Sequence, residues 1–124
     1  LEGDFAPSAI NLADLLRESG REDEAQDVLR EALVRAPRVA ALHVALGLAL
    51  VRVGRAEDAL GSLRRAFELA PEDPYHGYVY AVALHSLGSV PGALRVLDEA
   101  LARHPRDAGL LSAAATFRRD AGEL

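Results

Sequence analysis

The sequence predicts an all-α fold, an α-solenoid of three 34-residue helix-turn-helix repeats followed by a single C-terminal capping helix. Three observations carry this reading. The stretch GREDEAQDVLREALVRAP, from Gly20 to Pro37, returns as GRAEDALGSLRRAFELAP from Gly54 to Pro71 and as GSVPGALRVLDEALARHP from Gly88 to Pro105. Columns 34 residues apart keep one residue type: Gly20, Gly54, Gly88 and Gly122; Ala25, Ala59 and Ala93; Leu29, Leu63 and Leu97; Pro37, Pro71 and Pro105. With background frequencies of roughly 7% for Gly and 5% for Pro, chance does not produce such columns. Within each unit the apolar residues recur at helical spacing, as Ile10, Leu12, Leu15 and Leu16 do.

The elements follow in order. A first helix is expected between Pro7 and Ser19, ended by Gly20, because glycine permits the left-handed backbone of a helix C-terminus. A second helix opens on acids, Glu22 to Glu24 in the first unit and Glu57 to Asp58 in the second, which complement the positive end of the helix dipole. In the third unit Ser89 offers an N-cap, and Pro91 falls in the first turn, where amides have no intrahelical acceptor. Each second helix stops ahead of Pro37, Pro71 or Pro105, since proline disfavours helical conformation in the residue before it. The units are expected at about residues 6–39, 40–73 and 74–107 of one domain spanning 1–124, with the capping helix at about 108–121. Small residues at Ala13/Ala25, Gly47/Ala59 and Ala81/Ala93 would let the two helices of each hairpin approach closely. On the last helix Leu111, Ala114 and Phe117 are expected to face the preceding hairpin. Arg118, where earlier units have Leu, gives it a polar outer side.

The small-residue pairs, the turn glycine, the alanines of the second helix and the terminal proline together resemble the tetratricopeptide repeat, over about Ala6 to Gly122. The early Trp of that family is replaced by Ala9, His43 and Gly77, and its later Tyr by Leu16, Leu50 and Leu84. The resemblance implies a right-handed superhelix that binds protein or peptide along its concave face, lined by the first helix of each hairpin. The columns it implies there include Ile10, Val44, Tyr78 and Ser112; Asp14, Leu48, Val82 and Thr116; and Arg17, Val51, His85 and Arg119. A further column holds Pro7, Ala41, Tyr75 and Gly109. Members that clamp a terminal carboxylate use Lys and Asn there; this chain has no Lys and only Asn11, so that activity is not implied.

Composition narrows the function. The 124-residue chain is half hydrophobic, which suits a folded domain, and its net charge of −5 opposes a nucleic-acid partner, because phosphate binding relies on a basic surface. No run reaches the roughly 18 apolar residues a membrane span needs. The chain opens LEGDF without a signal-peptide pattern and contains no Met, so it reads as a fragment or trimmed chain, with the cytoplasm as the default compartment. Its basic residues are all Arg, which reads as the codon bias of a GC-rich genome; a bacterial source is expected. The absence of Lys excludes a P-loop or Schiff-base lysine. No Cys is present, hence no disulfide, thiolate metal site or cysteine nucleophile. His43, His76, His85 and His104 show no i, i+4 metal pair, and no serine lies in a nucleophile elbow. No cofactor, metal or catalytic residue is expected.

The implied groove is apolar at its centre. Val44, Leu48, Val51, Tyr75, Tyr78 and Val82 would form a stripe, with Asp14 and Arg17 at one end and Arg119 at the other, or would be buried by tighter packing between adjacent first helices; Ile10 and His85 complete the candidate set. Exposed aromatic residues make good interface anchors, and a contiguous apolar patch marks an interaction site. Two functions follow: a non-catalytic module that takes an apolar helix or peptide into the groove, or a surface for self-association, as a homo-oligomer or beneath another part of the same polypeptide.

Overall fold

The computed structural model describes residues 2–122, and among them it holds seven α-helices and no strand. They form two compact units. Leu1–Leu69 contains α1 (Glu2–Glu18), α2 (Glu22–Arg35), α3 (Ala40–Arg52) and α4 (Ala56–Leu69). Ala70–Leu124 contains α5 (Pro74–Ser86), α6 (Val90–Arg103) and α7 (Ala108–Asp120). Successive helices pair as hairpins, α1 with α2, α3 with α4, and α5 with α6, while α3 packs on α1–α2 and α7 on α5–α6.

The turn columns behave as their chemistry dictates. Gly20, Gly54 and Gly88 take φ of 76°, 79° and 86°, the left-handed region in which a Cβ is strained. In each hairpin the next amide reaches back over that glycine: Arg21 N–H donates to Leu16 O at 2.8 Å, Arg55 to Leu50 at 2.9 Å and Ser89 to Leu84 at 2.9 Å. This six-to-one bond closes the carbonyls at the end of the first helix. The second helices end at Arg35, Leu69 and Arg103, each two residues before its proline.

Close packing explains the small-residue columns. Ala13, Ala25, Ala59, Ala81 and Ala93 are buried. A Cβ added to Gly47 would lie 2.6 Å from Leu63 Cδ2 and 2.8 Å from its Cγ, so α3 touches α4 at the backbone. Leu29, Leu63 and Leu97, one column, are among the fully buried large side chains. On α7 the matching position, Ala115, is exposed, since no second helix covers it among the described residues.

Several helix ends depart from expectation. The first helix begins at Glu2 rather than Pro7, which lies inside it and removes one amide from the ladder. The added turn is held to α2 by Phe5, whose ring lies 4.1 Å beneath the Arg35 guanidinium. Ser89 occupies the N-cap position of α6, but its side chain makes no capping bond. Its Oγ lies over Gly92, which has no side chain to displace it. The earlier hairpins hold ion pairs in that column, Arg21 with Glu24 and Arg55 with Asp58. Asp73 and Asp107 act as side-chain caps, accepting from Tyr75 N and Leu110 N, both at 2.9 Å. On α7 the buried leucine is Leu110; Leu111 is 47% exposed, against expectation, because Leu110 shares its column with the buried Leu42 and His76. Arg118 turns back to Asp98 of α6 at 2.8 Å and so helps fasten α7.

Candidate functional site

Within Leu1–Leu69 five of the expected site residues come together. Ile10, Asp14 and Arg17 on α1 and Val44 and Leu48 on α3 line one cavity of about 220 Å³. They meet because α1 and α3 are first helices, each tied to its own second helix through the small-residue face, which leaves another face of each turned to the cavity. Val44 is 7% exposed and forms part of the floor, so at this position the packed alternative holds and not the open stripe: the close approach of the helices draws it inward. Val51 is exposed on α3 and lies outside the cavity lining.

The cavity pairs an apolar floor with a charged mouth. Ala13, Ala25 and Leu29 complete the floor; Asp14, Arg17, Glu22 and Arg52 supply two acids and two bases. Arg17 reaches Asp14 only at 3.8 Å, and Arg17 Nε and Glu22 Oε2 are buried without a hydrogen-bond partner. An uncompensated buried polar atom costs free energy that a partner's polar group can recover. Sequence reasoning missed Glu22 and Arg52. Glu22 complements the dipole of α2, and nothing in its spacing shows that it also lines the cavity with α3.

Within Ala70–Leu124 the remaining candidates lie on α5. Tyr75, Tyr78 and Val82 are exposed at i, i+3 and i+7, one face of the helix. Tyr78, Val82 and His85 line a cleft of about 400 Å³ with Ser112, Thr116 and Phe117 of α7. Tyr75 and Tyr78 border a second hollow of about 380 Å³ with Asp73, Asp107 and Gly109. His85 is committed to α7: its ring stacks on Phe117 with centroids 4.0 Å apart and planes 5° from parallel, and its Nε2 lies 3.1 Å from Asp120 Oδ2. It forms a wall of the cleft.

The other histidines serve the loops. A ring N–H of His43 donates to Pro37 O at 2.8 Å and one of His76 to Ala70 O at 2.9 Å, while His104 Nε2 lies 3.4 Å from Pro71 O. Among the described residues no cluster of His, Cys, Asp or Glu is arranged to hold a metal ion, and no helix is long and apolar enough to cross a membrane.

Glycine-capped helical hairpins closed by small residues, with the next first helix packed on the hairpin before it inside each unit, define a helical-repeat protein. A family profile described as tetratricopeptide repeat matches residues 10–74 and again 44–108. The chain belongs to the tetratricopeptide repeat family, whose members mediate protein–protein interactions and are generally non-catalytic scaffolds. Protein FlbA of Caulobacter vibrioides is 35% identical over 100 residues, 79% of this chain. The chain spans 16% of the length of that relative. Among solved structures, the crystal structure of MamA protein aligns with a TM-score of 0.81 at 21% identity, covering 98% of this chain and 66% of that one. The type III secretion translocator chaperone SycD of Yersinia enterocolitica aligns with a TM-score of 0.81 at 16% identity, covering 98% and 89%. The first repeat domain of Spaghetti (RPAP3), bound to an HSP90 peptide, aligns with a TM-score of 0.80 at 15% identity, covering 94% and 95%. At these identities the structural matches show the fold.

Proposed function

We propose that the chain is a non-catalytic peptide-binding module that docks an apolar helix or extended peptide on its first helices. The carrying observation is Tyr75, Tyr78 and Val82, three large side chains left exposed on one face of α5 beside the cleft formed with α7. Tyrosine brings large contact area at low entropic cost, and such anchors dominate interface energetics. The cavity of about 220 Å³ lined by Ile10, Val44 and Leu48 is the corresponding surface of the first unit, with polar groups at its rim. Amphipathic peptides present anchors at i, i+3 and i+7, the spacing of the α5 face itself. The peptide held by the RPAP3 domain supports this reading by analogy of fold alone.

The test is to select binders from a random peptide library against the chain and titrate the enriched sequence by calorimetry. Tyr78→Asp is expected to weaken it at least about thirtyfold, a hot-spot loss, with unchanged circular dichroism. Equal binding by Tyr78→Asp and by Leu48→Asp would remove the site from the first helices. A concentration-dependent dimer that Tyr78→Asp dissolves would assign the surface to a second copy of the chain.

A further inference from the structure

We infer that the cavity between α1 and α3 takes from a docked peptide a side chain that ends in a primary carboxamide, glutamine or asparagine. This specificity rests on the peptide-docking reading of the first helices and names the group recognised there. The residues that select it are Arg17, in the last turn of α1, and Glu22, the first residue of α2. Gly20 turns the chain between them with a φ of 76°, so both fall at one end of the first hairpin. Both line the cavity, and each buries a polar atom without a hydrogen-bond partner, Arg17 Nε and Glu22 Oε2. The ion pair of Arg17 goes to Asp14, at 3.8 Å, rather than to Glu22. The repeat shows that the fold does not require this arrangement. The same two positions hold Val51 and Ala56 in the second hairpin and His85 and Val90 in the third. A hairpin closes with Val and Ala there, so the two unpaired polar atoms are a local cost that helix packing does not demand.

The two atoms are opposite in kind. The Arg17 Nε–H only donates, and Glu22 Oε2 is a carboxylate oxygen that accepts, so a ligand that satisfies both must accept at one point and donate at another. A primary carboxamide does so: it carries an acceptor oxygen and a two-donor NH2 on one rigid plane, whereas a hydroxyl must reach both groups from a single atom. Ions fit poorly. A carboxylate brought to Arg17 also approaches Asp14 and Glu22, and an ammonium brought to Glu22 also approaches Arg17 and Arg52. A mouth of two acids and two bases favours a neutral dipole over a charge of either sign. An apolar side chain would fill the space but leave both atoms unpaired, because it cannot reproduce the bonds of the water it displaces. The floor of Ala13, Ala25, Leu29 and Val44 receives the methylene stem that precedes the carboxamide.

The test isolates this cavity from the α5 face. Peptides are selected from a random library on the Tyr78→Asp chain and depleted on a chain carrying both Tyr78→Asp and Leu48→Asp, so that those retained use the cavity. Glutamine or asparagine is expected at one fixed position of the retained sequences. That residue is then replaced by Met, Ser or Glu, and each peptide is titrated into the Tyr78→Asp chain by calorimetry. Each replacement is expected to weaken binding at least about tenfold, because a site built for hydrogen bonds rejects an analogue that lacks them. Adding Arg17→Val and Glu22→Ala copies the second hairpin at these positions, and there the carboxamide and Met peptides are expected to bind within about twofold of each other. Retained peptides without a carboxamide position, equal binding of any replaced peptide, or the same loss on Met replacement in both chains would overturn the inference and leave the docking reading standing. Retention of no peptide would overturn both at α1 and α3, while the α5 face keeps its own test.

Discussion

The contact between Gly47 and Leu63 gives the sharpest energetic prediction. Glycine inside a helix is destabilising by about 1 kcal/mol relative to alanine, so Gly47→Ala would stabilise α3 if its surroundings were open. They are not. The new Cβ would lie 2.6 Å and 2.8 Å from two atoms of Leu63, and Leu63 is 1% exposed, with little room to swing away. Overpacking of that kind costs about 1 to 3 kcal/mol, so the net change is about 0 to 2 kcal/mol destabilising. Leu63→Ala alone leaves a cavity and costs about 2 to 5 kcal/mol. It also removes both clashing atoms, so Gly47→Ala made in that background is expected to stabilise by about 1 kcal/mol. The sign of one substitution thus reverses with its neighbour. Urea unfolding of the four proteins, followed by circular dichroism, measures the cycle. Stabilisation of about 1 kcal/mol by Gly47→Ala in both backgrounds would refute the close approach of α3 and α4.

Other consequences follow from single features. Ala59→Leu, at a fully buried small-residue contact, is expected to lower stability by about 1 to 3 kcal/mol in the same assay. Gly54→Ala meets no atom within 4 Å, so its expected loss of about 1 to 2 kcal/mol is purely the strain of a positive φ, and a loss no larger than that of Gly61→Ala, on a helix surface, would contradict it. Asp107→Ala removes the side-chain cap of α7 and is expected to cost about 0.5 to 2 kcal/mol, with faster amide exchange confined to the first turn of α7.

How far the sequence carried the structure depended on whether a residue's role had a local cause. The turn glycines, terminal prolines and small-residue pairs were legible because a positive φ, a blocked helix and a close approach each demand one residue type at one place. Pro7 was misleading because its local preference was overridden by tertiary packing of the preceding turn, with Phe5 against Arg35. The adjacent leucines of α7 were ambiguous by composition. The column shared with Leu42 and His76 decided for Leu110. Of the site, the cavity residues on α1 and α3 were legible through the repeat register. The burial of Val44, the tie between His85, Phe117 and Asp120, and the roles of Glu22 and Arg52 were not, because each depends on how far apart two helices sit. Spacing along one chain does not encode that distance.

The central claim is that partners dock on first helices. It is tested most directly by titrating a library-selected peptide into the isotope-labelled chain and mapping the amide shifts. Shifts gathered on α1 and α3 around Ile10 and Leu48, or on α5 and α7 around Tyr78 and Thr116, are the expected result. Shifts confined to α2, α4 and α6 would contradict it.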